Sequence, residues 1–281
     1  MSSNTLIAFK NIVDQPLTSV NPAIISSNRI NNVGDALESF VKDAYTGLLN
    51  SKLNQTQKDE KYSEIFSWLG NSSNPPDSLL RAGDGIEVKK IESLTSDIAL
   101  NSSFPKNKLH SDDSRVAGGA KRAENWTERD IVYIIGTVFS QELSRLWFIY
   151  GDCYAASKET YERLIEVIGD GVRTIPDIEF HETNELAKIK KVDPLGITDM
   201  RVRGMWHIQN PSRLYSNLVT SSPQRQYYLL MREEKYQSFP EADRSSLDKL
   251  HVNGYSNSII KIRNPDNPAQ LMKARFIKYE I

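Results

Sequence analysis

The chain has 281 residues, of which 39% are hydrophobic and 25% charged, and its formal net charge is −1. This balance is typical of a folded globular protein and argues against a largely disordered chain; no apolar run approaches the roughly 20 residues that span a bilayer. A strongly basic domain would indicate a nucleic-acid partner, so near-neutrality restricts any such site to a local basic groove.

The single cysteine, Cys153, excludes an internal disulfide framework and a cysteine-based zinc site. We expect it to be buried. The first residues, MSSNTLIAFKNIVDQ, lack the charged-then-apolar pattern of a signal peptide. We therefore expect a cytoplasmic protein.

Residues 33–49 carry apolar side chains at helical spacing, which predicts a helix with one buried stripe. Glu38 lies beside this stripe, four residues before Lys42, and an exposed ion pair is the simplest interpretation. Residues 50–64 are polar and predict a loop or a frayed helix. An Asn/Ser/Pro-rich break follows at residues 71–76.

Residues 75–93, PPDSLLRAGDGIEVKKIES, predict a β-hairpin with AGDG (82–85) as its turn. That turn would set residues 79–80 opposite residues 87–88. Asp77, at the start of the first arm, would then approach the second arm only if the sheet twists or bulges.

Strand side chains alternate, so Ile86 and Val88 should face the core while Glu87 and Lys89 share the other face. Converging acids such as Asp77 and Glu87 repel each other unless a cation neutralises them, and such oxygen ligands suit Mg²⁺. The adjacent ammonium of Lys89 can orient a water for attack on a phosphodiester. The alternative is a surface hairpin with an ion pair, because a bare P-D…E-x-K match often arises by chance.

Later segments complete a mixed pattern of strands and helices. Residues 101–130 form a long polar stretch, which in a compact domain is usually functional or mobile. Residues 157–169 predict a helix with Ser157 as its N-cap and an apolar stripe at 161, 164, 165 and 168. Strands are predicted at 130–139, 144–155, 196–208, 258–263 and 271–279.

We find no internal repeat and no linker in the sequence. The simplest organisation is one mixed α/β domain over residues 1–281. Its catalytic core would span about residues 30–210, with C-terminal strands in 255–281 as an elaboration.

Pro76-Asp77 and Glu87-Val88-Lys89 match the motif of the PD-(D/E)xK superfamily of nucleases. Beyond these residues, the chain resembles type II restriction endonucleases of the NgoPII kind. The similarity extends over most of the chain, through NRINNVGDALESFVKDAY, GDGIEVKKIESLTSDIALNSSFPKNKL, ENWTERDIVYIIGTV, YGDCYAA and DPLGITDMRVRGMWHIQNP.

The resemblance implies a restriction-endonuclease-like core, in which helices flank a central mixed sheet. It also implies a Mg²⁺-dependent enzyme that cuts both strands of DNA at a short GC-rich palindrome, with GGCC the leading candidate, leaving 5′-phosphate and 3′-hydroxyl ends. A two-fold symmetric target is most simply read by a homodimer. A cognate DNA methyltransferase would be the genetic partner.

Residue roles follow from the same resemblance. Asp77 and Glu87 would bind the metal with the Val88 carbonyl, Lys89 would position the water, and Glu38 would be an outer metal ligand.

Arg201 and Arg203 are two residues apart on a predicted strand, so both should project from one face. A guanidinium can bind O6 and N7 of guanine, which suits a G-rich site. Contacts to phosphates or acidic side chains are the alternative. Further candidate DNA contacts lie in the polar stretch: Asn101, Ser102, Ser103, Lys106, Lys121 and Arg122.

Two other functions stay open at the level of sequence. One is a repair or junction-resolving nuclease of the same superfamily, which would cut by DNA structure or damage. The other is a non-catalytic DNA-binding protein of the same fold, although the complete Asp77, Glu87 and Lys89 set argues against it.

Overall fold

The computed structural model describes residues 3–16, 29–70, 74–100, 103–139, 142–176, 179–181, 186–221 and 225–281. Its centre is a nine-stranded mixed sheet. The strands of this sheet are β1 (Phe66–Leu69), β2 (Ser78–Leu80), β3 (Gly85–Ile91), β5 (Lys108–His110), β6 (Glu128–Phe139), β7 (Glu142–Tyr150), β12 (Gln226–Arg232), β13 (Tyr255–Arg263) and β14 (Leu271–Glu280). They are ordered β1-β2-β3-β6-β7-β12-β14-β13, with β5 also paired to β6.

Two strand pairs in this sheet, β3 with β6 and β7 with β12, are parallel. Two smaller sheets accompany it. One has three strands, β8 (Glu179–His181), β9 (Ala187–Lys190) and β10 (Met200–Val202). The other pairs β4 (Ile98–Leu100) with β11 (Trp206–Ile208). The prediction of a mixed α/β fold with a central mixed sheet is confirmed.

The helices in the described residues are α1 (Thr5–Asp14), α2 (Arg29–Thr46), α3 (Gln55–Ile65), α4 (Gly118–Ala123), α5 (Lys158–Arg173), α6 (Pro211–Leu214), α7 (Glu233–Ser238) and α8 (Glu241–Asp248). Buried side chains of α1, α2, α3, α7 and α8 form one hydrophobic core with one face of the main sheet. A second core lies on the opposite face, around Tyr133, Trp147 and Tyr228, and includes side chains of the 103–117 segment. Within the described residues, no helix has both the length and the apolar character needed to cross a membrane.

Several predicted helices and strands are confirmed, although their first and last residues differ from the prediction. The predicted helix at 33–49 is α2, whose buried face includes Leu37, Val41 and Ala44. The predicted strands at 130–139 and 144–155 are β6 and β7, and Cys153 is buried as expected. The two C-terminal strands pair with each other, and β14 also pairs with β12, so they extend the main sheet.

Residues 50–64 and 101–130 are more ordered than their polarity predicts. Asn54 caps α3 through a reciprocal capping box with Gln57, which satisfies backbone donors at the start of a polar helix. The 101–130 stretch contains β5 and α4, and Leu109 and Ala120 are buried. The expectation of a long loop here is therefore wrong in part.

Helix α5 begins after Ser157 as predicted, but the Ser157 side chain makes no capping bond and the helix continues to Arg173. Its apolar stripe is only partly covered, because Leu164 and Ile168 are 42% and 46% exposed.

The predicted single strand at 196–208 is wrong. The segment forms β10 and β11, which belong to different sheets and are separated by residues 203–205. Exposure alternates from Arg201 to Ile208, across the end of β10 and into β11, so alternation in the sequence cannot reveal the change of partner strand.

Candidate active site

The hairpin formed by β2 and β3 turns earlier than predicted. Leu79 pairs with Gly85 and Ser78 with Ile86, and Gly83 donates its backbone N–H to the Leu80 carbonyl in the turn. The expected pairing of residues 79–80 with 87–88 is therefore wrong by three residues, because Leu79 pairs with Gly85 and not with Val88. Because the turn is tighter, the described hairpin brings Asp77 beside the middle of β3 without the bulge that the predicted register required.

Asp77 is held there by a backbone donor. Its Oδ2 atom accepts a hydrogen bond of 2.7 Å from the backbone N–H of Val88. Ile86 is fully buried and Val88 packs against the same core, so the predicted inward face of β3 is confirmed. Glu87 and Lys89 alternate with these two residues and project to the opposite face.

Glu87 is a buried carboxylate, 7% exposed. Its Oε1 atom accepts a hydrogen bond of 2.5 Å from Nζ of Lys89. Its Oε2 atom is also buried and has no hydrogen-bond partner among the described residues. A buried anionic oxygen without a partner is costly, and a bound cation would remove that cost.

Burial raises the pKa of Glu87 to about 7; Lys89 opposes this shift, and the charge of Asp77 adds to it. For Lys89, burial lowers the pKa, but attraction to Glu87 and Asp77 outweighs it, so the pKa is raised. Burial and the charge of Asp77 also raise the pKa of Glu38, on α2. Three carboxyl groups thus influence one another beside two ammonium groups, those of Lys89 and Lys42, so acids outnumber cations at the site.

The donor set fits a hard divalent cation held by few protein ligands. Mg²⁺ is usually bound through one or two carboxylates and retains several waters, and Asp77 with Glu87 supplies two. The described residues contain no group of three or more His, Cys, Asp or Glu side chains arranged to hold a metal. Glu38 forms an ion pair of 3.7 Å with Lys42 and acts on the site electrostatically.

The turn of the hairpin is fixed by contacts that the sequence did not indicate. Asp84 is buried and accepts hydrogen bonds of 2.7 Å from the Tyr150 hydroxyl and from Nζ of Lys235. Lys235, which is 151 residues away in the chain, also forms a 2.7 Å ion pair with Asp130. Only the tertiary fold could reveal these positioning contacts.

Arg201 lies on β10, and Arg203 follows the end of that strand. Both are exposed, whereas Val202 and Gly204 between and after them are half-buried, so the two arginines lie on the outer side of this segment.

The other predicted DNA contacts differ in accessibility. Ser103 and Lys106 are buried, and Nζ of Lys106 bonds to Asp113 over 2.6 Å. Nζ of Lys106 also lies 3.6 Å from the centre of the Phe104 ring. Both residues are thus buried, and their contact with DNA stays a prediction.

Lys121 is half-buried and Arg122 exposed on α4, which packs against β1. Asn101 and Ser102 lie outside the described residues.

Comparison with known proteins gives a consistent result. The family model described as NgoPII restriction endonuclease matches residues 3–263. The chain is 42% identical to the type II restriction enzyme NgoPII of Neisseria gonorrhoeae over 281 residues, which cover 99% of this chain and 100% of that protein. No solved structure matches the chain.

Proposed function

The chain belongs to the NgoPII restriction endonuclease family, and from this premise we propose that Asp77, Glu87 and Lys89 are its active site for cleavage of duplex DNA. The protein is a type II restriction enzyme, a site-specific deoxyribonuclease. The observation that carries the site assignment is the unpartnered Oε2 atom of Glu87, buried beside a second acid and a lysine.

Type II restriction enzymes generally need divalent metal ions, and we propose Mg²⁺ for this one, held by Asp77 and Glu87 with the Val88 carbonyl. When bound, Mg²⁺ supplies positive charge to the phosphate and acidifies water. The Val88 N–H fixes the Asp77 carboxylate, while the buried face of β3 fixes the backbone that carries Glu87. Glu38 would contribute as an outer acid.

Lys89 would position the attacking water. Its ammonium already donates to Glu87, so a water in the site could accept from the same group, while Asp77 and Glu87 would hold the cation that neutralises the phosphate. Attack of that water on phosphorus, in line with the 3′ oxygen as leaving group, would break the P–O3′ bond and leave 5′-phosphate and 3′-hydroxyl ends.

The target would be a short GC-rich palindrome, with GGCC the leading candidate, cut by a homodimer whose symmetry matches the site. Arg201 and Arg203 would contact guanine edges, with Arg122 and Lys121 as further candidates for the DNA surface. A cognate methyltransferase would protect the host DNA.

Digestion of a sequenced plasmid with Mg²⁺, followed by mapping of the fragment ends, tests this proposal. We expect discrete fragments whose ends share one short palindrome, and no cleavage when a chelator is added. A smear, or cutting only at branched DNA, would support the structure-specific nuclease instead. Shared ends at a sequence other than GGCC would correct the target alone.

A further inference from the structure

The β9–β10 hairpin has one covered face and one charged face. It is antiparallel, with Lys188 paired to Arg201 across the strands. Helix α5 packs against β9, and Ala187 and Ile189 are buried. Since strand side chains alternate, Lys188 and Lys190 project from the opposite face, and Arg201 joins them as the cross-strand neighbour of Lys188.

This hairpin is basic in a chain that is slightly acidic. Residues 187–203 contain five Lys or Arg and two Asp, a net charge of +3, whereas the whole chain carries −1. Asp199 lies 3.5 Å from Lys188, and Asp193 accepts hydrogen bonds within the loop. The acids of the hairpin thus have structural roles, and the excess charge along it is positive.

The tip of the hairpin has a defined shape. Asp193 accepts hydrogen bonds from the backbone N–H groups of Leu195 (3.0 Å), Ile197 (3.5 Å) and Thr198 (2.7 Å). Gly196 adopts a φ of +68°, the left-handed region that favours glycine. Loops stabilised in this way hold their side chains in fixed directions.

That loop holds two aliphatic side chains in solvent. Leu195 is 82% and Ile197 79% exposed, the highest values among the large hydrophobic residues of the described chain. A loop that is ordered by its own hydrogen bonds does not need these side chains for folding. Their exposure at the end of a basic ribbon therefore indicates a partner that combines negative charge with apolar surface.

We propose that the β9–β10 hairpin enters a groove of the DNA substrate. Lys188 and Lys190 face the phosphates, and Leu195 and Ile197 at the tip pack against base edges. A two-stranded ribbon fits the major groove, where thymine methyl groups offer apolar contact. Duplex DNA is also the partner that the charge favours, because two copies of a hairpin with a net charge of +3 repel each other.

The β9–β10 hairpin is connected through β11 and β4 to β3, the strand that carries Glu87 and Lys89. Three residues, 203–205, lie between Val202 and Trp206, which are therefore at most about 14 Å apart, and Trp206 pairs with Leu100 in β4. Strand β4 in turn follows β3 after a short connection at residues 92–97. One duplex could therefore contact both elements. This inference rests on the proposed function.

Three double variants test the hairpin. The first is Lys188→Gln with Lys190→Gln, and the second Leu195→Ser with Ile197→Ser. Lys249→Gln with Lys261→Gln is the matched control, since both lysines are exposed and lie outside the hairpin. The probe is a short labelled duplex containing the sequence at which the wild-type enzyme cuts a plasmid, and binding is measured over a salt series.

We expect the lysine variant to bind at least about tenfold more weakly and to lower the slope of log affinity against log salt by about 2, as for two lost phosphate contacts. The tip variant should bind about fivefold or more weakly with an unchanged slope, because it loses apolar contact only. The control should bind like the wild type.

Two further measurements keep the inference open to refutation. Sedimentation of the tip variant should match the wild type; a smaller assembly with unchanged DNA affinity would make the tip a protein contact and overturn the proposal. In the wild-type enzyme, the duplex should protect Lys188 and Lys190 from acetylation but not Lys249. Cleavage without this protection would refute the hairpin's role and leave the proposed function intact, whereas absence of cleavage would refute the function itself.

Discussion

The backbone N–H of Val88 donates a hydrogen bond of 2.7 Å to Oδ2 of Asp77, so the strand that carries Glu87 also fixes the other acid of the site. A carboxylate that is anchored by a backbone donor keeps its position when its surroundings change. The two acids are therefore preorganised by the hairpin before any ligand binds.

Asp77 and Asp84 should respond to the same substitution in opposite ways. Asp77→Asn keeps an oxygen that can accept from Val88 but loses the charge, so cleavage should fall at least about a hundredfold while the melting temperature changes little. Asp84→Asn should retain cleavage but lower the free energy of unfolding by about 1–3 kcal/mol, because half-buried Lys235 loses one of its two charged partners. Plasmid cleavage and thermal melting are measured for both variants. Loss of cleavage in Asp84→Asn but not in Asp77→Asn would move the site to the turn.

Glu87→Gln and Lys89→Ala should each abolish cleavage and leave DNA binding largely intact. Glu87→Gln should fold at least as well as the wild type, because it removes a buried charge whose Oε2 atom has no hydrogen-bond partner in the described parts of the chain. Glu92→Gln and Lys90→Ala are matched controls, since these two residues form their own ion pair on the same segment. Cutting by either purified active-site variant, measured beside a gel-shift assay, would disprove the assignment.

Lys235→Met should destabilise the fold by about 3 kcal/mol. Asp84 and Asp130 both lie 2.7 Å from the Lys235 ammonium, and its removal would leave two carboxylates without their shared cation. Lys249→Met, at an exposed position, is the control. Urea unfolding of the two variants and of the wild type measures the difference. Equal midpoints for Lys235→Met and the wild type would show that the ion pairs of Lys235 add no stability.

Asp152→Asn should stabilise the protein above about pH 6 and have little effect near pH 4. Burial, with the charge of Asp130, raises the pKa of Asp152 from 3.8 to about 6, and its buried Oδ1 atom has no hydrogen-bond partner within the part of the chain that the structure describes. When folding raises the pKa of an acid, the protonated group contributes fully to the stability of the folded protein at low pH. This contribution is lost as the pH rises through the pKa that the group has in the folded state.

Asparagine does not titrate, so the variant does not lose this stability. Its free energy of unfolding should therefore exceed that of the wild type by a margin that grows between about pH 4 and pH 6 to on the order of 1 kcal/mol. Urea unfolding of both proteins across this pH range measures the difference. An advantage that does not change with pH would contradict the titration of Asp152 as its cause.

Arg201→Ala and Arg203→Ala should relax sequence specificity if these arginines read bases. Each good bidentate contact to guanine discriminates by about 1–3 kcal/mol, so affinity should fall more for the cognate duplex than for duplexes with single base changes. Binding at two salt concentrations separates this from phosphate contact, which weakens all sequences alike and lowers the salt slope. Equal loss for every sequence would exclude base reading.

Local patterns in the sequence were enough to predict the helix at α2, the buried strands β6 and β7, and the two faces of β3. These follow from side-chain periodicity, which depends only on neighbouring residues. The Asp77, Glu87 and Lys89 motif also lies within one hairpin, so the sequence alone could bring it together. The resemblance to the family then indicated the reaction.

The register of that hairpin was decided by the tertiary structure, because the turn is held by Tyr150 and Lys235 from distant parts of the chain. The burial of Lys106 and the division of residues 196–208 between two sheets likewise depend on partners that no local pattern specifies. The sequence determined which residues alternate and which chemistry they carry. Contacts between distant segments decided which of those residues are buried, which face solvent, and which strand each one pairs with, because burial and pairing are properties of the packed chain.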